Sequence, residues 1–203
     1  MQPELTLIVA ATRTMGIGLQ GGLPWKGLRK EMQYFARVTQ RPAPLSNAIN
    51  AVIMGRKTWD SIPPSFRPLK NRLNIVITRS APLPPPLAHD PSLAQEIRVP
   101  SIEAALRCAQ ESGASRIFVI GGAAIYRAAL EMQSARMRIL LTSIEEDFDC
   151  DVFFPLDPRT AEGWRRSSVR ELGEWTGEDE GAVGGMREEA GVHYEFQMWE
   201  KEE

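Results

Sequence analysis

Apolar residues fall in short blocks along the first two thirds of the chain, and the spacing of these blocks predicts strands that alternate with helices. Buried strands are predicted where apolar runs end at a glycine or a polar residue, at 5–11, 51–54, 73–78, 117–120 and 137–144. Between two of them, Ser101 is expected to cap a helix that continues to about Ser112 and ends at Gly113. Strands and helices that alternate with short connections favour a largely parallel sheet.

The last part of the chain follows a different pattern. Residues 192–200 alternate apolar and polar side chains, which predicts an antiparallel strand. The preceding residues 177–191 are rich in glycine and charge, and we interpret them as a flexible hairpin insertion that builds no core. The proline-rich residues 82–91 are expected to form a stiff connector, with a ligand for a proline-binding module as the alternative. No linker separates these parts, so a single domain over residues 1–203 is predicted.

One charged residue interrupts an apolar helical face. Leu28, Met32, Phe35 and Val38 repeat at helical spacing, and Glu31 projects within the same stripe. Burying a lone carboxylate is costly, so Glu31 would need a partner from the protein or from a ligand. The alternatives are a boundary glutamate that reaches water and one that pairs with an arginine.

Composition narrows the class of protein. The chain has 203 residues, 43% of them hydrophobic and 25% charged, as an ordinary globular protein has, and its net charge of -2 offers no basic field for nucleic acid. No signal peptide or membrane span is expected. Two cysteines, Cys108 and Cys150, and two histidines, His89 and His193, give no zinc-ligand spacing and argue against triad hydrolysis. A cytoplasmic enzyme or binding protein without metal or disulfide is predicted.

Two strand ends have the form of phosphate-binding turns. Residues 52–58 and 119–124 each run from an apolar strand through glycine into a helix start, where unpaired backbone N–H groups suit a phosphate. The standard dinucleotide and P-loop fingerprints are absent, and a single such turn is more often only a tight turn. Arg56 beside the first turn and Arg79 after a third strand can bind a 2′-phosphate, although a solvated surface charge is the alternative for Arg79.

Seven motifs, in order along the chain, resemble dihydrofolate reductases. They are Met15-Gly16-Ile17-Gly18 with Leu23-Pro24-Trp25, Leu28-Arg29-x-Glu31, Met54-Gly55-Arg56-Lys57-Thr58-Trp59, Arg67-Pro68-Leu69-Lys70-x-Arg72, Val76-Ile77-Thr78-Arg79, Ile120-Gly121-Gly122-x-x-Ile125-Tyr126 and Asp151-Val152-Phe153-Phe154-Pro155. They cover nearly the whole chain. Ser65-Phe66-Arg67-Pro68 and the ending Phe196-x-Met198-Trp199 resemble eukaryotic, fungal members. The resemblance implies an α/β fold with a mostly parallel central sheet, an antiparallel C-terminal hairpin and flanking helices.

The resemblance also implies an activity, which is NADPH-dependent reduction of 7,8-dihydrofolate to 5,6,7,8-tetrahydrofolate in one-carbon and thymidylate metabolism. Hydride would pass to C6 of the pterin, and N5 would gain a proton. The N–H donors of the pterin would supply the partner that Glu31 lacks. Because Glu31 would face the edge of the ring far from N5, we expect it to orient the substrate, with an ordered water as proton donor. Folates and antifolates are the expected ligands, and a monomer is the expected state.

Roles for individual residues follow from the same resemblance. Glu31, Leu23, Trp25 and Thr142 would form the catalytic group, and Thr142 would meet the 2-amino group of the pterin. Further substrate contacts would come from Ile8, Val9, Met32, Phe35, Ile62, Leu69, Arg72, Ile120 and Tyr126. Cofactor contacts would come from Ala10, Ile17, Gly18, Gly21, Gly55, Arg56, Lys57, Thr58, Ile77, Thr78, Arg79, Gly121, Gly122, Ala123, Ala124, Ile125 and Tyr126.

Some of these roles are specific. Arg72 would clamp the α-carboxylate of the substrate's glutamate, and the loop 16–25 would be a mobile lid. Cis peptide bonds are expected at Arg67-Pro68 and Gly121-Gly122. Gly22 departs from the acid found in many vertebrate members, which leaves the kinetics of the lid open.

Two rival functions are considered, a related enzyme and a protein of another class. The pyrimidine reductase of riboflavin synthesis shares fold and cofactor, but it would not be expected to combine Trp25, Glu31 and Arg72. A non-catalytic nucleotide- or folate-binding protein is the second rival. No matched site residue is missing from the sequence, which argues against it.

Overall fold

The computed structural model describes residues 2–81 and 95–202, so the stiff connector expected at the proline-rich residues 82–91 lies outside the described residues. The helices are α1 Arg29–Gln40, α2 Arg56–Ser61, α3 Ile102–Glu111, α4 Ala123–Leu130, α5 Val169–Thr176 and α6 Glu180–Val183. The strands are β1 Glu4–Ala11, β2 Gly16–Gly18, β3 Asn50–Gly55, β4 Arg72–Ile77, β5 Gln95–Val99, β6 Ile117–Gly121, β7 Arg136–Ile144, β8 Val152–Phe153, β9 Trp164–Arg166, β10 Arg187–Glu189 and β11 Val192–Lys201. Every strand that the apolar blocks predicted is confirmed.

The large sheet follows the order β10-β11-β7-β1-β6-β3-β4-β5, and β9 pairs with β11 outside this path. All pairs from β7 to β5 are parallel, whereas β11 runs antiparallel to β7, β9 and β10. The prediction of a mostly parallel sheet with an antiparallel C-terminal hairpin is therefore confirmed. Ser101 caps α3 by accepting a hydrogen bond from the backbone N–H of Ala104, and Gly113 follows the helix with a φ of +68°.

Helices cover both faces of the sheet, and β1 contributes to both cores. Side chains alternate along a strand, so Leu7 and Val9 pack in the core that contains α3 and α4. Ile8 packs in the opposite core, which contains α1. Strands buried on two faces are apolar almost throughout, which explains the continuous apolar blocks in the sequence. None of the described helices has the length and apolar composition that crossing a membrane requires.

The buried face of α1 differs from the predicted one. Val38 is buried as expected, but Met32 is 55% exposed and Phe35 is only half-buried. The buried stripe passes instead through Glu31 and Tyr34, because the Tyr34 ring stacks on Phe196 of β11 with ring centroids 3.9 Å apart. The prediction that Met32 faces the core is wrong.

Residues 177–191 contribute to the core, contrary to the prediction. They contain α6 and β10, and β10 forms the expected hairpin with β11. Val183 is fully buried in the core that contains α1, and the Glu178 carboxylate pairs with Arg37 of that helix and with Arg41, which follows its last residue. The prediction from composition is wrong because one buried valine and a few paired carboxylates are enough to attach a polar segment to the core. Its flexibility stays a prediction.

Candidate active site

The two glycine turns lie side by side at the carboxyl ends of neighbouring strands. Parallel pairing of β3 with β6 sets Met54 opposite Gly121, and each strand then leads directly into a helix. A Cβ placed on Gly121 or on Gly122 would lie 3.5 Å from Oγ1 of Thr58. The Thr58 hydroxyl thus faces both glycines, and their missing side chains keep the space beside it open.

This cradle fits a dinucleotide pyrophosphate. The helix α4 begins after Gly122, and no side chain caps its first N–H groups. Ala123 and Ala124, in the first turn, add no bulk, and Ile125 packs on Gly55 of the other turn. Open N–H donors, a hydroxyl and free space are what a phosphate needs at a helix start. The cis peptide bonds expected at Gly121-Gly122 and Arg67-Pro68 are both present.

Arg56 and Arg79 follow two adjacent strands, because β3 pairs in parallel with β4 and sets Gly55 opposite Ile77. Arg56 donates a 2.9 Å hydrogen bond to Asp60, and both side chains are more than half exposed. Arg79 is exposed, and within the described part of the chain it forms no ion pair. Lys57 is exposed next to Arg56, whereas Thr78 beside Arg79 is buried. The edge therefore carries positive charge where a nucleotide phosphate would lie.

Glu31, on α1, is buried, with 9% of its surface exposed. Its carboxylate accepts a 3.0 Å hydrogen bond from Oγ1 of Thr142. Burial raises the pKa of Glu31 from its ordinary value of 4.5 to about 7, the hydrogen bond from Thr142 lowers it, and the charge of Glu189 raises it further. Across residues 2–81 and 95–202, no cation pairs with Glu31. Neither the boundary position nor the arginine pair considered above describes this carboxylate.

Half-buried apolar side chains lie at the margin of the core that contains α1, the helix of Glu31. Ile8 and Trp25 belong to the same buried core as the inner face of α1. The partly exposed residues at its margin include five of those expected at the site: Ala10, Phe35, Ile62, Leu69 and Ile120. Val9, another expected substrate contact, packs its side chain in the opposite core, since adjacent residues of a strand face opposite ways. Its contact with substrate stays a prediction.

The opposite margin gathers residues expected to contact a cofactor. Ile17, Ile77 and Ile125 are partly buried against the core that contains α3 and α4. Tyr126 is buried in that core, and its hydroxyl donates a 2.7 Å hydrogen bond to the backbone carbonyl of Ile8. The two sets of expected residues therefore lie on different faces of the sheet and meet where β1 and β6 end.

Arg72 is a buried guanidinium with neutral partners. It is 4% exposed, its Nη1 donates to Oγ1 of Thr39 at 2.9 Å, and its Nε donates to the carbonyl of Lys70 at 2.9 Å. Burial lowers the pKa of Arg72 to about 10. No carboxylate of the described residues pairs with it, so the site offers a desolvated cation to an incoming anion.

The family model for dihydrofolate reductase matches residues 4–175. The chain is 42% identical to a dihydrofolate reductase of Cryptococcus neoformans, with 97% of this chain and 94% of that protein covered, and 42% identical to one of Pneumocystis carinii, with 99% and 98% covered. The chain belongs to the dihydrofolate reductase family. Its fold is similar to that of the Schistosoma mansoni dihydrofolate reductase, with a TM-score of 0.74 and 32% identity over 99% of this chain and all of that one.

Membership of the dihydrofolate reductase family makes the protein an oxidoreductase.

The loop 16–25, expected to be a mobile lid, is attached to residues that follow β7. The backbone N–H of Gln20 donates to Oδ2 of Asp151 at 2.9 Å, and the N–H of Asp151 donates to the carbonyl of Gly18 at 2.9 Å. Gly21 has a φ of +78° and open space around it, whereas Leu23 is half exposed. The loop is thus attached at Gly18 and Gln20 and through the pairing of β2 with β8, and Trp25 at its far end is buried.

Three further residues of this region have no signal in the sequence. Tyr34 is buried beside Glu31, whereas the helical spacing predicts that Met32 and Phe35 face the core. Phe148 packs against the same core and meets the ring of Trp25 edge-on, with centroids 6.0 Å apart. Glu189 belongs to residues 177–191, whose composition predicts a flexible insertion that builds no core. Only the pairing of β10 with β11 brings it to α1, and no local motif encodes that approach.

Proposed function

We propose that the protein reduces 7,8-dihydrofolate to 5,6,7,8-tetrahydrofolate with NADPH. The single observation that carries the proposal is a buried carboxylate, Glu31, which has a hydroxyl partner in Thr142 and no cation partner in the described chain. A flat ring with adjacent N–H donors would satisfy both groups at once. We also propose that residues 1–203 form one domain and act as a cytoplasmic monomer.

The substrate ring would lie against the margin of the α1 core. Phe35, Ile62, Leu69 and Ile120 keep apolar surface there, which suits a pterin and an aminobenzoyl ring. Met32 is exposed on the same helix, so it would cover the ligand rather than support the core. Binding would bury this surface and exclude water from the reacting atoms.

The substrate tail would reach Arg72. Its guanidinium is already held by Thr39 and by the carbonyl of Lys70, so little side-chain entropy is lost when a carboxylate arrives. Burial makes the charge more effective, because the effective dielectric constant is lower away from water. The glutamate α-carboxylate of a folate is the anion that fits.

The cofactor would span the two glycine turns. Thr58 and the first turn of α4 would hold the pyrophosphate, and Arg79 with Arg56 would hold the 2′-phosphate. Ala10 and Ile17, on either side of the end of β1, would contact the nicotinamide. When bound, the reduced nicotinamide supplies the hydride that C6 of the pterin accepts.

Protein groups would govern the proton. With a pKa of about 7, Glu31 is partly protonated near neutral pH. A ligand with N–H donors would favour its ionised form. The ionised carboxylate would then favour positive charge on the ring as the transition state forms. N5 lies at the other edge of the ring, so its proton would come from an ordered water, as expected from the resemblance.

One assay tests the proposal against both rivals. The purified protein is given dihydrofolate with NADPH, then with NADH, and then the pyrimidine substrate of riboflavin synthesis with NADPH. We expect oxidation of NADPH with dihydrofolate, at a higher kcat/KM than with NADH. Turnover of the pyrimidine alone would identify the first rival. Tight binding of folate without any oxidation of NADPH would identify the second.

A further inference from the structure

The carboxylate of Glu189 lies at the start of α1. The backbone N–H of Lys30 donates to both of its oxygens, at 3.0 and 2.9 Å. The hydroxyl of Tyr194 donates to the same carboxylate at 3.2 Å. Glu189 ends β10 and pairs with Val192 across the hairpin, so the position of its side chain is set by the antiparallel pair rather than by the helix.

The helix itself supplies no cap at this end. Its N-cap residue is Leu28, whose side chain cannot accept a hydrogen bond, and the first N–H groups of a helix have no partner within the helix. A carboxylate at this end also meets the positive end of the helix dipole. Glu189 therefore acts as the cap of α1 from a distant part of the chain.

The capped residue directly precedes Glu31. The Glu31 carboxylate lies 3.0 Å from Oγ1 of Thr142. Moving or unwinding the first turn of α1 would separate the two. The helix is also held at its other end, where Glu178 of the same segment pairs with Arg37 and Arg41. Residues 178–189 thus fasten both ends of the helix that carries the buried carboxylate.

We propose that Glu189 is a positioning residue for Glu31. By capping α1 it holds Glu31 against Thr142, and it also places a second negative charge beside Glu31. The inference rests on the proposed function in one respect, since only there does Glu31 bind substrate. Burial and the charge of Glu189 both raise the pKa of Glu31, whereas the hydrogen bond from Thr142 lowers it. The other titratable groups around it are the hydroxyls of Tyr34, Tyr126 and Tyr194, which are neutral near pH 7, since burial raises pKa values that are ordinarily near 10.

The chain offers a matched control in the next residue. Glu188 has the same side chain on the same strand, but it is 63% exposed and lies 3.7 Å from Nε2 of His193. Successive residues of a strand face opposite sides, so Glu188 and Glu189 point away from each other. Substituting one or the other changes the charge of the protein equally.

The first experiment compares Glu189→Gln with Glu188→Gln. Carboxyl-carbon NMR of the ligand-free protein follows the titration of Glu31, with Glu31→Gln used to assign its signal. We expect Glu189→Gln to lower the pKa of Glu31 by ~0.5 or more, since a neighbouring negative charge is lost, and Glu188→Gln to leave it unchanged. The acid limb of the pH–rate profile should shift in the same direction. Equal titration curves for the two variants would overturn the electrostatic half of the inference.

The second experiment removes the cap with Glu189→Ala and uses Glu188→Ala as control. Amide hydrogen exchange at Lys30 should become faster in Glu189→Ala alone. Dihydrofolate should bind about fivefold more weakly, because binding would then have to order a first turn that has lost the ~1 kcal/mol of helix stability one cap provides. Affinity for NADPH should stay the same. Unchanged exchange and affinity would overturn the positioning role. If Glu189→Ala does not fold, Glu189→Gln decides the point, because it replaces the two charged acceptors with one neutral acceptor. Exchange at Lys30 should then be faster than in Glu188→Gln, and equal exchange in the two variants would overturn the capping role.

The two proposals fail separately. A parent protein that oxidises no NADPH with dihydrofolate contradicts the proposed function, whatever the variants do. The titration of Glu31 and the exchange of the Lys30 amide need no substrate. They therefore test the link between Glu189 and Glu31 even in that case.

Discussion

The hydroxyl of Thr142 and the carboxylate of Glu31 are joined by a 3.0 Å hydrogen bond between β7 and α1. This bond stabilises the ionised carboxylate, yet the pKa of Glu31 is raised to about 7, because burial outweighs it. One hydrogen bond does not replace the water that an exposed carboxylate would have. The folded protein without ligand therefore keeps Glu31 ionised at a cost.

Removing that charge should stabilise the protein at high pH. Unfolded, Glu31 loses its proton near 4.5, and folded near 7, so the stability that the protonated form provides is full below 4.5 and is lost as pH rises through 7. The difference corresponds to roughly 3 kcal/mol. Glu31→Gln should gain up to this much in the free energy of unfolding at about pH 8.5 and little at about pH 4.5. Urea unfolding at both pH values measures it, and an equal gain at both contradicts the raised pKa.

The same substitution should impair turnover. Glu31→Gln cannot favour positive charge on a pterin, so kcat with dihydrofolate should fall by on the order of a hundredfold or more while the melt stays cooperative. A 2,4-diaminopteridine antifolate should bind protonated to the parent protein and neutral to the variant. Its ultraviolet spectrum in the complex reports the protonation. A protonated spectrum with the variant would show that another group binds the ring.

Arg72→Leu should weaken substrate binding selectively. A charge-assisted hydrogen bond contributes about 1.5–3 kcal/mol, so we expect a loss of roughly tenfold to hundredfold in affinity for dihydrofolate. NADPH should bind as before, because Arg72 contacts Thr39 and Lys70 and no residue of the glycine turns. Thr39→Val is the control, since it removes one partner of Arg72 and keeps the charge. Fluorescence titration with both ligands measures it, and equal weakening of both would make Arg72 structural.

Cofactor preference should depend more on Arg79 than on Arg56. Arg79 forms no ion pair within the described residues, whereas Arg56 already donates to Asp60 at 2.9 Å. Arg79→Ala should therefore lower the ratio of kcat/KM for NADPH to that for NADH by on the order of tenfold, and Arg56→Ala by less. Equal kcat/KM for the two cofactors in the parent protein would remove the basis of the 2′-phosphate assignment.

The loop 16–25 should respond sharply to a methyl group at Gly16. A Cβ there would lie 2.9 Å from Oγ1 of Thr12 and 2.8 Å from Cβ of Cys150, with the sulfur closer still. At Gly22 the nearest atom is 3.8 Å away and φ is not positive. Gly16→Ala should therefore lower the Tm by several degrees and speed proteolysis of the loop, and Gly22→Ala should do neither. Similar proteolysis of both variants would show that the contact at Cys150 does not hold the loop.

Sequence patterns were sufficient for the local parts of this fold and insufficient for its long-range contacts. Apolar blocks and the cap at Ser101 are encoded within a few residues, so strands and α3 were predicted closely. Whether Val9 or Ile8 faces Glu31 depends on which way β1 is turned in the sheet, which alternation cannot tell when both faces are buried. Glu189 shows the same limit more strongly, because its role depends on a hairpin that reaches a helix far away in the chain.

Strand order has a consequence for how the protein is made. The turns expected to hold the nucleotide lie within residues 52–124, whereas Thr142 is flanked in the sheet by Phe196 of β11, about 70 residues further along the chain. At elongation rates of roughly 5–20 residues per second, several seconds separate the two. We expect the nucleotide turns to leave the ribosome well before the strand that borders the partner of the Glu31 carboxylate. The surroundings of Glu31 are therefore complete only after β11 has been translated.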